Sequence, residues 1–102
     1  MKKENEYYYI PSFLFLEDNK LTAEAKILYT FLLRILSQDE DAKYIYFTRT
    51  DAKFILNCSH VKATSTFKEL KECGLITVIQ QGLGKPNKIF LNDINIEVEN
   101  EQ

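Results

Sequence analysis

The longest periodic stretch of the chain is AEAKILYTFLLRILS, residues 23–37, where Ala25, Leu28, Leu32, Ile35 and Leu36 recur at three-and-four spacing. That period gathers them on one side of an α-helix. Ile27, Tyr29 and Phe31 widen the apolar stripe, so burial on more than one side is expected. Thr22 offers an N-cap oxygen, and Glu24 places a negative charge in the first turn, where the helix dipole favours one. The pattern breaks at QDEDAK, residues 38–43, which is polar and acidic.

Beyond the break the periods shorten. YIYFT (44–48) is aromatic and β-branched and predicts a short strand. Thr48, with Asp51 three residues on, predicts a capping box for a second helix that offers Ala52, Ile55 and Leu56 to a core and stops near Asn57. Ser59 can cap a third helix running to about Cys73, and Gly74 suits its left-handed stop. On that third helix Ala63, Thr64, Phe67, Leu70 and the stem of Lys71 fall on one face. Lys62, Ser65, Thr66 and Glu69 fall on the other, with Lys68 at the flank.

LITVIQ (75–80) and KIFLN (88–92) then read as antiparallel strands joined across QGLGKPN. Near the N-terminus, YYYIPSFLF (7–15) is aromatic, broken at Pro11, and predicts an extended arm. Its tyrosines are too apolar to stand free in water, so the arm is expected to pack on the domain's own core or on a second copy. The expected division is an arm over 1–20, one domain over 21–92 and an acidic, flexible tail over 93–102.

Length and composition narrow the class. A chain of 102 residues, 45% hydrophobic and 27% charged, is sized for one modest core. No apolar run approaches the roughly 20 residues that span a bilayer, and no signal-peptide cleavage pattern follows the first lysines, so a cytoplasmic location without membrane contact is expected. The net charge of -2 conceals an uneven distribution. Residues 1–43 hold six basic against eight acidic side chains, and residues 44–91 hold seven basic against three acidic. The tail adds Asp93, Glu97, Glu99 and Glu101. The positive charge is therefore concentrated in the two closely joined helices and the hairpin.

Catalytic chemistry has little support. Cys58, Cys73 and His60 are too few for a zinc site and lack a paired C-x-x-C, so neither a metal nor a cofactor is expected. No third group marks a base-orienting partner for a Cys–His pair, and the cysteines are read as reduced and structural. QQGLGKPNKIF (80–90) is not a nucleotide-binding glycine loop. Such a loop needs Gly-x-x-x-x-Gly-Lys-Ser/Thr before a helix, whereas here one residue separates Gly82 from Gly84, Pro86 follows the lysine and a strand comes next. A protein that binds rather than catalyses is the expectation.

Helix, short strand, two helices across a tight turn, then a hairpin is an α+β layout, that of a winged helix-turn-helix with the hairpin as its wing. In that layout the second helix of the pair enters the DNA major groove and the wing meets backbone or minor groove. Ser59, His60, Lys62, Ser65, Thr66 and Lys68 are thus candidates for contacts with double-stranded DNA, joined by Lys85, Asn87 and Lys88 of the wing. His60 is more commonly a surface residue than a base reader. Glu69 would repel a phosphate, which favours contacts from the N-terminal half of the helix. Tyr7, Tyr8, Tyr9, Ile10 and Phe13 are the candidates for dimerisation.

The segments YYYIPSFLF, LTAEAKILYTFLL, YIYFT, LNCSHVKATSTFKEL and QQGLGKPNKIFL together resemble the N-terminal domain of the plasmid replication initiator A family of Gram-positive bacteria. The resemblance runs from Tyr7 to about Leu91. It implies a winged helix that binds repeated sites at a replication origin, commonly as a homodimer. It also implies DNA-contact roles for Ser59, His60, Lys62 and Thr66 on the recognition helix and for Lys85, Pro86 and Asn87 in the wing. Ser12 stands where such proteins often carry lysine, and the 38–43 connector lacks their usual tryptophan. A full initiator is expected to continue beyond residue 102. The alternatives are a winged-helix protein-interaction module or a small transcriptional regulator of a mobile element.

Overall fold

The structure is a computed structural model that describes residues 8–16 and 20–92. Three helices, α1 (Ala23–Ser37), α2 (Arg49–Leu56) and α3 (His60–Glu72), pack on one face of a three-stranded antiparallel sheet. Its strands are β1 (Ile45–Phe47), β2 (Ile76–Ile79) and β3 (Asn87–Leu91), in the order β1-β3-β2. Ile89 is the register pin, paired with Ile45 on one side and Val78 on the other. Strand alternation then sends Ile45, Phe47, Ile76 and Ile89 into the core, all buried.

Each helix begins and ends for a local reason. The Thr22 side chain accepts from the Ala25 N–H at 3.2 Å, and the Ser59 side chain accepts from the Lys62 N–H at 3.1 Å. At α2 the expected capping box is complete: the Thr48 Oγ1 accepts from the Asp51 N–H at 3.0 Å and the Asp51 carboxylate accepts from the Thr48 N–H at 2.9 Å. Asn57 ends α2 in the left-handed region, φ 53°, and Gly74 follows α3 at φ 78°. Only Asn57, Cys58 and Ser59 separate α2 from α3. The sharp step between the two helices is thus set by one residue that leaves the first and one that caps the second.

The core joins Leu28 and Leu32 of α1 to Ala52, Ala63 and Leu70 of α2 and α3, with Leu75 and Ile89 beneath. A line of rings, Tyr8–Phe31–Phe47–Phe67, crosses it at centroid separations of 5.8, 6.3 and 6.1 Å. Two expectations are corrected here. Residues 12–15 form a 3₁₀ turn instead of extended chain, because Pro11 supplies the carbonyl that the Leu14 N–H reaches at 3.1 Å. Ile27 is half exposed and Ile55 lies near the surface, so the second side of α1 is not fully covered. The short strand pairs with β3 of the hairpin and completes one sheet. The tail over 93–102 lies outside the described residues.

Candidate nucleic-acid interface

The turn at 57–59 leaves α3 standing on the surface with a continuous exposed stripe. Val61, Ser65, Lys68 and Glu72 lie along it, flanked by His60 and Lys71. Beside its C-terminal half, an open groove of about 320 Å³ runs between α3, the start of α2 and the inner face of the wing. Arg49, Lys68 and Lys71 bring positive charge to that groove, and Gln80 and Asn87 line its wing side. Glu72 is its acidic member and pairs weakly with Lys68 at 4.0 Å, both side chains well exposed.

The wing is the β2–β3 hairpin. Gly82 at φ 118° and Gly84 at φ 76° take backbone shapes that side chains resist, with Leu83 fully exposed between them. The Gln81 amide donates to the Pro86 carbonyl at 2.9 Å, and the Lys85 N–H reaches the Gly82 carbonyl at 3.3 Å. At the hairpin's base the Asn92 amide donates to the Gly74 carbonyl at 2.7 Å, tying the wing to the end of α3. Lys85 is exposed near the tip.

The candidates from sequence divide. Ser59, His60, Ser65 and Lys68 lie on or beside the exposed stripe, and Lys85 and Asn87 lie on the wing beside it. Thr66 is corrected: it is 1% exposed, and its hydroxyl donates to the Lys62 carbonyl at 2.7 Å. A threonine satisfied by its own helix behaves as a small apolar side chain and packs inward. Lys62 borders that side but stays half exposed, with its Nζ 3.6 Å from the Glu24 carboxylate of α1. Lys88 is corrected as well. It sits on the outer face of the sheet, 4.7 Å above the Tyr44 ring, because β3 alternation opposes it to Asn87 and Ile89.

Glu69 does not face a ligand. Its carboxylate accepts from the Thr22 N–H at 2.6 Å and the Thr22 hydroxyl at 2.8 Å, bolting α3 to the N-cap of α1. Sequence reasoning missed Arg49, Lys71 and Gln80 as groove residues. The excess of cations over 44–91 signalled the first two, but only the packing of α2 against α3 brings Arg49 to Lys68. Cys58 and Cys73 are both half-buried and not disulfide-bonded. Burial, aided by the negative charges of Glu69 and Glu72, pushes the Cys73 thiol above its ordinary pKa, which makes it a poor nucleophile.

On the arm, Phe13 sets its ring edge-on to Tyr29 at 5.7 Å, and Tyr8 stacks on Phe31 beneath the Arg34 guanidinium. Tyr9 is 80% exposed and Ile10 about half exposed. Tyr7 lies outside the described residues. Ile10 also borders an apolar groove of about 380 Å³ with Ile27, Phe31 and Ile55.

Three helices, a tight helix-turn-helix step and a three-stranded sheet whose last hairpin projects as a wing define a winged helix-turn-helix domain. The chain belongs to the family described as the replication initiator protein A (RepA) N-terminus, whose profile matches residues 6–102. Among solved structures it is similar to "N-Terminal domain of DNA binding protein" at 30% identity and TM-score 0.70, over 97% of this chain and 88% of that one. It is similar to "Structure of Rep-DNA complex" at 30% identity and TM-score 0.70, over 96% and 88%. It also resembles "Structure of MDR initiator" at 28% identity and TM-score 0.67, over 97% and 92%. No curated protein matches the chain.

Proposed function

We propose that this chain is the DNA-reading domain of a replication initiator, binding repeated double-stranded sites at an origin as a homodimer in the cytoplasm and acting by binding rather than catalysis. The observation that carries the reading is the juxtaposition of the α3 stripe with the Arg49–Lys68–Lys71 groove and the wing. A helix of this diameter fits the major groove, and the flanking cations then fall where the phosphate backbones run. The similar solved structure of a Rep–DNA complex supports DNA binding. Among the described residues no helix is long and apolar enough to cross a membrane.

The proposed sequence of events is simple. Cations at Arg49, Lys68, Lys71 and Lys85 draw the domain to the duplex and release condensed counterions. The first turns of α3 then settle against base edges, and the wing fixes the register on the backbone. A second reading, a protein-interaction module, is favoured by the outer face of the sheet, where Tyr46 and Ile79 are exposed beside Phe90. Binding of origin-type duplex measured across a salt series separates the two. A steep fall of affinity with salt is expected; absence of tight duplex binding even at low salt sinks the DNA reading and favours the second.

A further inference from the structure

The exposed stripe of α3 carries one apolar side chain in its first turn, and the fold makes no use of it. Val61 is 76% exposed and is not packed against the hydrophobic core. Valine is also a weaker helix former than alanine or the straight-chain residues, so helix propensity does not explain its place. An exposed apolar side chain is ordinary on its own. Position makes this one informative. With Thr66 buried and Lys62 leaning to Glu24 with its side chain 40% exposed, the residues of the first two turns that stand most openly in solvent are His60, Val61 and Ser65.

We infer that Val61 is a specificity-determining residue that reads the C5-methyl group of a thymine in the major groove. The inference rests on the DNA-reading proposal above and deepens it. Thymine is the base whose major-groove edge bears a methyl group, and the N-terminal residues of a recognition helix are those that reach base edges. The β-branched side chain holds essentially one χ1 rotamer in a helix, so both methyls keep a fixed direction without losing rotamer freedom on binding. A G·C pair presents no methyl group on that edge, so the same side chain finds no apolar contact there. Val61 therefore selects for thymine through the methyl contact.

The test starts with duplexes enriched from a random pool by the full chain. The best of them is then synthesised with each thymine replaced in turn by deoxyuridine, which keeps base pairing and removes only the methyl. At one position per half-site the unaltered protein is expected to lose affinity about fourfold, the worth of one buried methyl-sized group. Val61→Ala, at an exposed helical site where folding is unaffected, should bind thymine and uracil duplexes equally. Val61→Thr, which keeps one methyl, should retain part of the discrimination. Equal uracil penalties in the unaltered protein and Val61→Ala, or no penalty in either, would overturn the inference while leaving DNA binding intact. Failure to enrich any duplex would overturn the DNA reading itself and this inference with it.

Discussion

Thr66 and Glu69 show how single side chains on α3 redirect its polar face. Both are polar residues on the face that the sequence pattern assigns to a ligand, and both spend their hydrogen bonds inside the protein. Thr66→Val should therefore leave duplex affinity unchanged and alter stability by no more than about 1 kcal/mol, since the Lys62 carbonyl keeps its helical partner. A binding assay beside a urea titration reads both quantities; a large affinity loss with intact stability would restore Thr66 as a contact. Glu69→Ala should instead cost about 1–3 kcal/mol of stability, because two donors of Thr22 lose a charged acceptor at once. The residue pattern could not distinguish these roles. Helical periodicity places Lys62, Thr66 and Glu69 together, but which neighbour that face meets depends on how α1 crosses α3.

At the scale of elements, the parts written locally were legible and the parts made by pairing were not. Thr48 with Asp51, Asn57, Ser59 and Gly74 each act within four residues of themselves, so the helix limits and the tight α2–α3 step follow from short-range chemistry. Strand register is different. Nothing near Lys88 in sequence says that β1 will pair with β3, yet that pairing puts Tyr44 under its ammonium and aims it away from the groove. The consequence is measurable in salt dependence. Arg49→Ala, Lys68→Ala and Lys71→Ala should each lower the slope of log affinity against log salt by about 1, whereas Lys88→Ala should leave it unchanged. A slope lowered by Lys88→Ala and unaffected by the other three would place the duplex on the outer face of the sheet.

For the whole molecule, the arm connects the proposed assembly to the proposed reading helix. Tyr8 rests on Phe31, and Phe31 leads through Phe47 to Phe67 of α3, so the arm's position is fixed by the same core that carries α3. What the arm leaves outward is apolar: Tyr9, Ile10 and the groove bordered by Ile27, Phe31 and Ile55. A second copy covering that groove would bury these side chains and set two α3 helices at a fixed spacing, as repeated duplex sites require. Ile27→Asp tests this without disturbing the core, because Ile27 is half exposed and Leu28, its neighbour, supplies the packing. The mutant should keep its helical content and unfold near the unaltered protein's midpoint, yet sediment as a monomer where the unaltered chain sediments as a dimer. Its affinity for a single half-site should be preserved, while binding to paired sites loses the gain that linkage between two copies provides. A mutant that stays dimeric with full paired-site affinity would move the dimer contact away from this groove and leave the arm a purely intramolecular support for α1.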